Sequence, residues 1–398
     1  MAAGGVWLRS TSLPAEKSTL WGVGGSRVIT VISVVGDLWM PRGHTIPDRH
    51  LGGAVRRCLI VLTAAAAWHP VAATALFALL RRRPALVAHA SAPVVQLVID
   101  QAPDDIAAAV ESALPRYSTE LLWPAAALAR RLYDTLPATT TAAHRAHRLE
   151  NLGLRLSMLG RWEDAVMAST EAVALYRRLA DTNRTEFEPD LAGSLNNLSV
   201  LLSDLGLHRD ALAATTQAVD IRRRLAAVNP TAYEPGLAMA LNNHSVVLSN
   251  LGRRHDAVAA SNQAVEVYRR LAATNPRAFE PHLARALTNL GADLSDLGRS
   301  QNALTVTTEA VDIHRRSAAA HPAAFEPDLA RGLWVFARVR AAGQVELPQA
   351  LTAGQESVAL FEGLVRQRPR VFTGDLRGAR ASVAEVLDSL DRAQRIIS

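Results

Sequence analysis

Residues 189–230 read PDLAGSLNNLSVLLSDLGLHRDALAATTQAVDIRRRLAAVNP, and the fold follows from how this stretch is built. Leu191, Leu195, Leu198, Leu202 and Leu205 alternate spacings of four and three, which lays them along one stripe of a helix, here named A. Pro189 is expected at its start, where a missing amide hydrogen costs little. Gly206, just past its end, can take the left-handed conformation that closes a helix. After a tight turn Ala211, Leu212, Thr215, Ala218, Val219 and Leu225 mark a second amphipathic helix, B, running to the break at Asn229-Pro230. The unit is a helical hairpin. Methyl side chains at Ala211 and Ala218 let its two helices approach closely.

The hairpin recurs. Leu149-Glu-Asn-Leu-Gly, Leu195-Asn-Asn-Leu-Ser, Leu241-Asn-Asn-His-Ser and Leu287-Thr-Asn-Leu-Gly each begin 46 residues after the last. Gly160, Gly206, Gly252 and Gly298 keep that register, as do Ala165, Ala211, Ala257 and Ala303. Four units occupy residues 149–332, and a degenerate fifth follows from Leu333. There Phe372, Asp375 and Leu376 match Phe325, Asp328 and Leu329 at a spacing of 47, so one residue has been inserted. One hairpin cannot bury both its faces, but hairpins stacked in register bury them against each other. The richness in Ala, Leu and Arg, with aromatics at 5%, argues against an all-β chain.

Asn197-Leu198-Ser199 followed by Gly206, Ala211 and Ala218 resembles the tetratricopeptide repeat. In its longer period, with helix B extended through Arg223-Arg224-Leu225, the unit resembles the kinesin-light-chain type. The aromatic that this family carries after the turn survives as Trp162 and gives way to His208, Arg254 and Ser300. The resemblance implies an all-α fold, a right-handed α-solenoid of helical hairpins. It also implies a noncatalytic scaffold whose concave groove binds a peptide segment of another protein. The spacer Asn275-Pro276-Arg-Ala-Phe-Glu-Pro-His-Leu-Ala resembles repeats of large actinobacterial signalling proteins, where such arrays are sensor arms of STAND ATPases or CHAT proteases. That role, with the effector on another polypeptide, is one alternative; an RNA- or phosphate-binding solenoid is another.

Within the groove that the resemblance implies, Asn151, Asn197, Asn243 and Asn289 share one helix A position. An amide offers donor and acceptor together and can satisfy a peptide backbone whatever its side chains. The same amides could instead tie each helix A to its neighbour, and both roles can hold. Asn196, Asn242 and Thr288, with Ser203, Ser249, Ser295, Asp204 and Asp296, are expected to line the groove, with Trp334 and Arg338 near its end. The pairs Arg177-Arg178, Arg223-Arg224, Arg269-Arg270 and Arg315-Arg316 form a second stripe, on helix B. Asp220, Glu266 and Asp312 stand three and four residues before the last three pairs, at the spacing of helical ion pairs.

The remainder divides into a lead at 1–57, an apolar helical region at 58–137, the array at 138–379 and a capping helix at 380–398. Helices are expected around Ile106–Leu114 and Glu120–Leu132, and a solitary last helix around Ser382–Leu390. The apolar run 58–80 lies between Arg56-Arg57 and Arg81-Arg82-Arg83, as a membrane span would. His69-Pro70 in its middle favours a buried helical hairpin. The lead carries a β-type run at Val28–Val35 and a glycine cluster at Gly22–Ser26 that lacks the Lys-Ser/Thr pair of a phosphate loop.

Net charge is +6 with a pI near 10.1, and Lys17 is the only lysine. Many arginines have carboxylates nearby in sequence, so nucleic acid is not the expected partner. Cys58 stands alone, which excludes an intrachain disulfide and a thiolate-rich zinc site and fits a reducing compartment. No secretory leader is read at the N-terminus, so a cytoplasmic location is expected. His144 and His147 lack a third ligand for a metal, and no cofactor is expected.

Overall fold

The computed structural model describes residues 48–66, 70–115, 118 and 120–397. The glycine cluster, the Val28–Val35 run and His69 lie outside the described residues. Two compact units divide at Leu132.

In the first unit α1 (Asp48–Ala66) and α2 (Pro70–Arg82) are followed by a 3₁₀ turn, then α3 (Ala92–Gln101), α4 (Asp104–Ala113) and α5 (Leu122–Asp134). The apolar run 58–80 thus belongs to two helices, packed on each other and on the elements that follow. Leu59, Leu62, Leu76 and Leu80 enter one core with Val94, Val98 and Val110. Among the described residues, no helix is long and apolar enough to cross a membrane. The expected helices around Ile106 and Glu120 are α4 and α5.

The second unit is a solenoid of alternating A and B helices. These are α6 (Ala142–Met158), α7 (Trp162–Thr182), α8 (Arg184–Asp204), α9 (His208–Val228), α10 (Pro230–Asn250), α11 (Arg254–Thr274), α12 (Pro276–Asp296), α13 (Ser300–Ala320), α14 (Pro322–Gly343), α15 (Leu347–Gln367) and α16 (Pro369–Ile397). Each packs chiefly on the helix before and after it. Ala165, Ala211, Ala257 and Ala303 have no exposed surface, so the closest A–B approach falls on methyl groups as the repeat implied. Gly160, Gly206, Gly252 and Gly298 all close their turns at φ between 72° and 75°. At the fifth turn Gln344 (φ 53°) and Glu346 (φ 50°) take left-handed backbone instead, around the one-residue insertion.

Two boundaries differ from the sequence reading. The A helices begin five residues before the proline: α8 starts at Arg184 and carries Pro189 inside it, as α10 carries Pro235. Proline interrupts only one hydrogen bond there, and the helix start is fixed independently by Asn183, Asn229 and Asn275. Their side-chain oxygens accept from the backbone N–H groups of Glu186, Ala232 and Ala278 at 3.3, 3.1 and 3.2 Å. The last helix is also longer than the segment around Ser382–Leu390, starting at Pro369. It is a sixth helix A, without a B partner among the described residues.

The inner face as candidate functional site

From α8 onward the A helices pack on one another as well as on their B partners. Successive B helices stand apart, bridged by side chains across furrows; the one between α11 and α13 encloses about 410 Å³. The A side is therefore the inner side of the curve, and it carries the residues of interest.

The two asparagine columns have different fates. Asn196 and Asn242 are 4% and 7% exposed, so they do not line the groove as expected. They are buried acceptors: Asn243 Nδ2 donates to Asn196 Oδ1 and Asn289 Nδ2 to Asn242 Oδ1, both at 3.0 Å, each bond crossing one repeat boundary. Thr288 is buried as well and donates to its own helix at Ala284 O, 2.8 Å away. The outer column stays open to solvent: Asn197 is exposed, and Asn151, Asn243 and Asn289 are half-buried. Asn151 Nδ2 lies 3.3 Å from His147 Nε2 on its own helix. Tying neighbours together and presenting amides thus coexist in Asn243 and Asn289, where one N–H is used inward while the Oδ1 lone pairs remain.

Ser203 is half-buried and accepts from Asn250 Nδ2 at 3.2 Å, again across a boundary. Ser249, Ser295 and Arg338 are half-buried, and Asp204 and Asp296 are exposed. Trp334 departs from its expected place. Its Nε1 donates to Ser382 Oγ of α16 at 2.8 Å and its ring stands edge-on to Phe361, so it seals the end of the stack.

The arginine stripe is engaged by acceptors on neighbouring helices, two of them neutral glutamines, and hardly by the carboxylates three and four residues back. Only Arg223 approaches one, Asp220, at 3.8 Å. The first arginine of each pair reaches the next B helix: Arg177 to Gln217 (2.9 Å), Arg223 to Gln263 (3.2 Å), Arg269 to Glu309 (2.6 Å) and Arg315 to Glu356 (2.8 Å). The second reaches helix A of its own hairpin: Arg224 to Glu188 (2.7 Å), Arg270 to Glu234 (2.8 Å) and Arg316 to Glu280 (3.5 Å). Long side chains across a narrow furrow meet a facing acid more easily than one on their own helix.

Two features escaped the sequence reading. Leu154, Val200 and Val246 form an aliphatic column 39%, 41% and 37% exposed, three residues after Asn151, Asn197 and Asn243 and hence on the same face. Reading the 46-residue columns for apolar residues on a polar face would have found it. Asp293 is 4% exposed where Leu201 and Val247 stand in earlier repeats. Burial pushes its carboxyl up to about 6; the Ser249 and Ser261 hydroxyls pull down, Asp296 pushes up and Arg338 pulls down. Among the described residues no group of three or more His, Cys, Asp or Glu side chains could hold a metal.

Residues 145–183, 191–228 and 237–275 match the family model of the tetratricopeptide repeat. The structure is similar to that of BtubC from P. vanneervenii, at 18% identity over 66% of this chain and 92% of that one, with a TM-score of 0.46. It is similar also to the Rap conjugation gene regulator of plasmid pLS20 in complex with the Phr* peptide (14%, 88% and 98%, TM-score 0.47). A STAND protein with a tetratricopeptide repeat sensor from Pyrococcus horikoshii aligns at 10% identity over 85% of this chain and 50% of that one, TM-score 0.50. At that identity the likeness is one of fold. No curated protein matches the chain.

Proposed function

Because three stretches of the chain match the tetratricopeptide repeat, we propose that it is a noncatalytic scaffold that binds an extended segment of another protein along its inner face. One observation carries this: a column of solvent-open amides, Asn151, Asn197, Asn243 and Asn289, runs beside the exposed column Leu154, Val200 and Val246. Amides supply backbone hydrogen bonds, and the aliphatic column takes the apolar side chains that an extended segment presents on alternate residues. The outer face is the weaker candidate, since its arginines are engaged by Gln217, Gln263, Glu309 and Glu356.

Affinity capture from the native host, followed by calorimetry with the captured partner, tests the proposal. Asn197→Ala with Asn243→Ala should weaken binding by about 1–3 kcal/mol, at about 0.5–1.5 kcal/mol per lost hydrogen bond. Helicity should persist. Arg223→Ala with Arg224→Ala should leave affinity nearly unchanged. Unaltered binding in the asparagine double variant would return those amides to a purely structural role.

A further inference from the structure

Among the described residues two carboxylates of this array are buried, Glu188 and Asp293. Glu188, 7% exposed, takes Arg184 Nε and Arg224 Nη2 on Oε1, each at 2.7 Å. Asp328 and Asp375 meet Arg285 and Arg331 at 3.6 and 3.1 Å. Asp293, on the inner helix α12 and 4% exposed, has no such partner. Among the described residues it forms no ion pair, and its Oδ2 is buried without a hydrogen-bond partner. The fold does not demand an acid there, because Leu201 and Val247 fill the equivalent place in the two preceding repeats with hydrocarbon.

Its surroundings belong to the groove. Asp296, one turn further along α12, is exposed; Ser249 of α10 and Arg338 of α14 are half-buried. Asp296 and Arg338 act on the Asp293 carboxyl through their charges, Ser249 and Ser261 through their hydroxyls. Two carboxylates against one guanidinium leave this corner with a surplus of one negative charge, enough for a single cation. Two carboxylates are too few donors for a dedicated metal site. Along the same rim, two repeats earlier, Asp204 is also exposed and outside any ion pair among the described residues.

We propose that the Asp293–Asp296 corner is the receptor for one basic side chain, arginine or lysine, of the segment bound on the inner face. The proposal rests on the groove reading above and names the chemistry of its ligand. Asp296 draws the cation in from solvent, and Asp293 supplies Oδ2, a buried acceptor without a hydrogen-bond partner. Burial keeps the Asp293 carboxyl near 6, so the receptor is fully charged only above that pH. A bound cation favours the ionised form.

Three blocked peptides of about nine residues, alternating Ala and Ser with Arg, norleucine or Glu at the centre, provide the test by fluorescence anisotropy with the full chain. At neutral pH the Arg peptide should bind about tenfold or more tighter than the norleucine peptide, and the Glu peptide weakest. That preference should shrink as pH falls below 6. Asp296→Asn and Asp293→Asn should each collapse the preference. Asp296 is exposed, so its substitution has little structure to disturb. Equal affinity for all three peptides would overturn the receptor while sparing the groove, as would a preference surviving Asp296→Asn. Failure of all three peptides to bind would overturn both.

Discussion

His314 occupies the place of Tyr268 one repeat earlier and of Phe361 after the inserted residue, an aromatic slot with 2% of the imidazole residue exposed. Its Nε2 lies 3.2 Å from Thr288 Oγ1. Burial holds its pKa down to about 4 against an ordinary 6.5; Asp328 opposes the shift and Arg285 adds to it. A folded value below the unfolded one means that the stability tied to this group is present above pH 6.5 and is lost as pH falls toward 4. His314→Phe should therefore flatten the acid limb of the stability profile, by an amount on the order of 2 kcal/mol between neutral pH and pH 4. Urea unfolding followed by circular dichroism at several pH values checks this; an equally steep acid loss in the variant would clear His314. Asp293 acts in the opposite sense, since its raised value makes the ionised form costly above about 6. Neither residue stood out in the sequence, because the pKa of a side chain depends on what a neighbouring helix places against it. The four turn glycines were legible, because a left-handed residue leaves its mark in the residue type itself.

Elements were legible where one helix face decides and obscure where two helices meet. The A–B hairpin followed from the leucine stripe and the recurring alanines, and Ala211→Leu should overpack it by about 1–3 kcal/mol. Thermal unfolding measures that loss; an unchanged midpoint would mean that the close A–B approach is not where these methyls place it. Helix starts were misplaced because proline was read as a beginning, whereas Asn183, Asn229 and Asn275 set the true one. The same asparagines that precede the prolines in Asn229-Pro230 and Asn275-Pro276 thus begin a helix as well as ending one. Arginine partners were misplaced for a related cause: spacing along one helix says nothing of a facing acid forty residues away. Likewise the Asn-Asn doublets gave no sign of which amide would turn inward.

At the scale of the array, the ladder bonds before the fifth turn join residues at constant separations. Arg177, Arg223 and Arg269 reach 40 residues ahead, Arg224, Arg270 and Arg316 reach 36 back, and Asn243 and Asn289 reach 47 back. Removing Pro230–Asn275, one whole period, brings Glu309 to the place of Gln263 and Asn289 to the place of Asn243. Arg223 and Asn196 then find partners of the same kind. The shortened chain should fold to a helical array with a single cooperative transition, measured by circular dichroism and calorimetry. A deletion of similar length out of phase, which strands these partners, should not. Broad, noncooperative melting of the in-phase deletion would mean that the repeats are not interchangeable.

Constant bond offsets have a genealogical consequence. A gene segment encoding one period can be duplicated or lost by misaligned recombination, and the new junction inherits a full set of contacts without any compensating substitution. Only the fifth turn resists: the extra residue there stretches the Arg315 to Glu356 step to 41, so a crossover spanning it would put the ladders out of phase. Copy number is therefore free to drift among the four regular units, and descendants of this gene should differ in groove length before they differ in how the C-terminal end is closed.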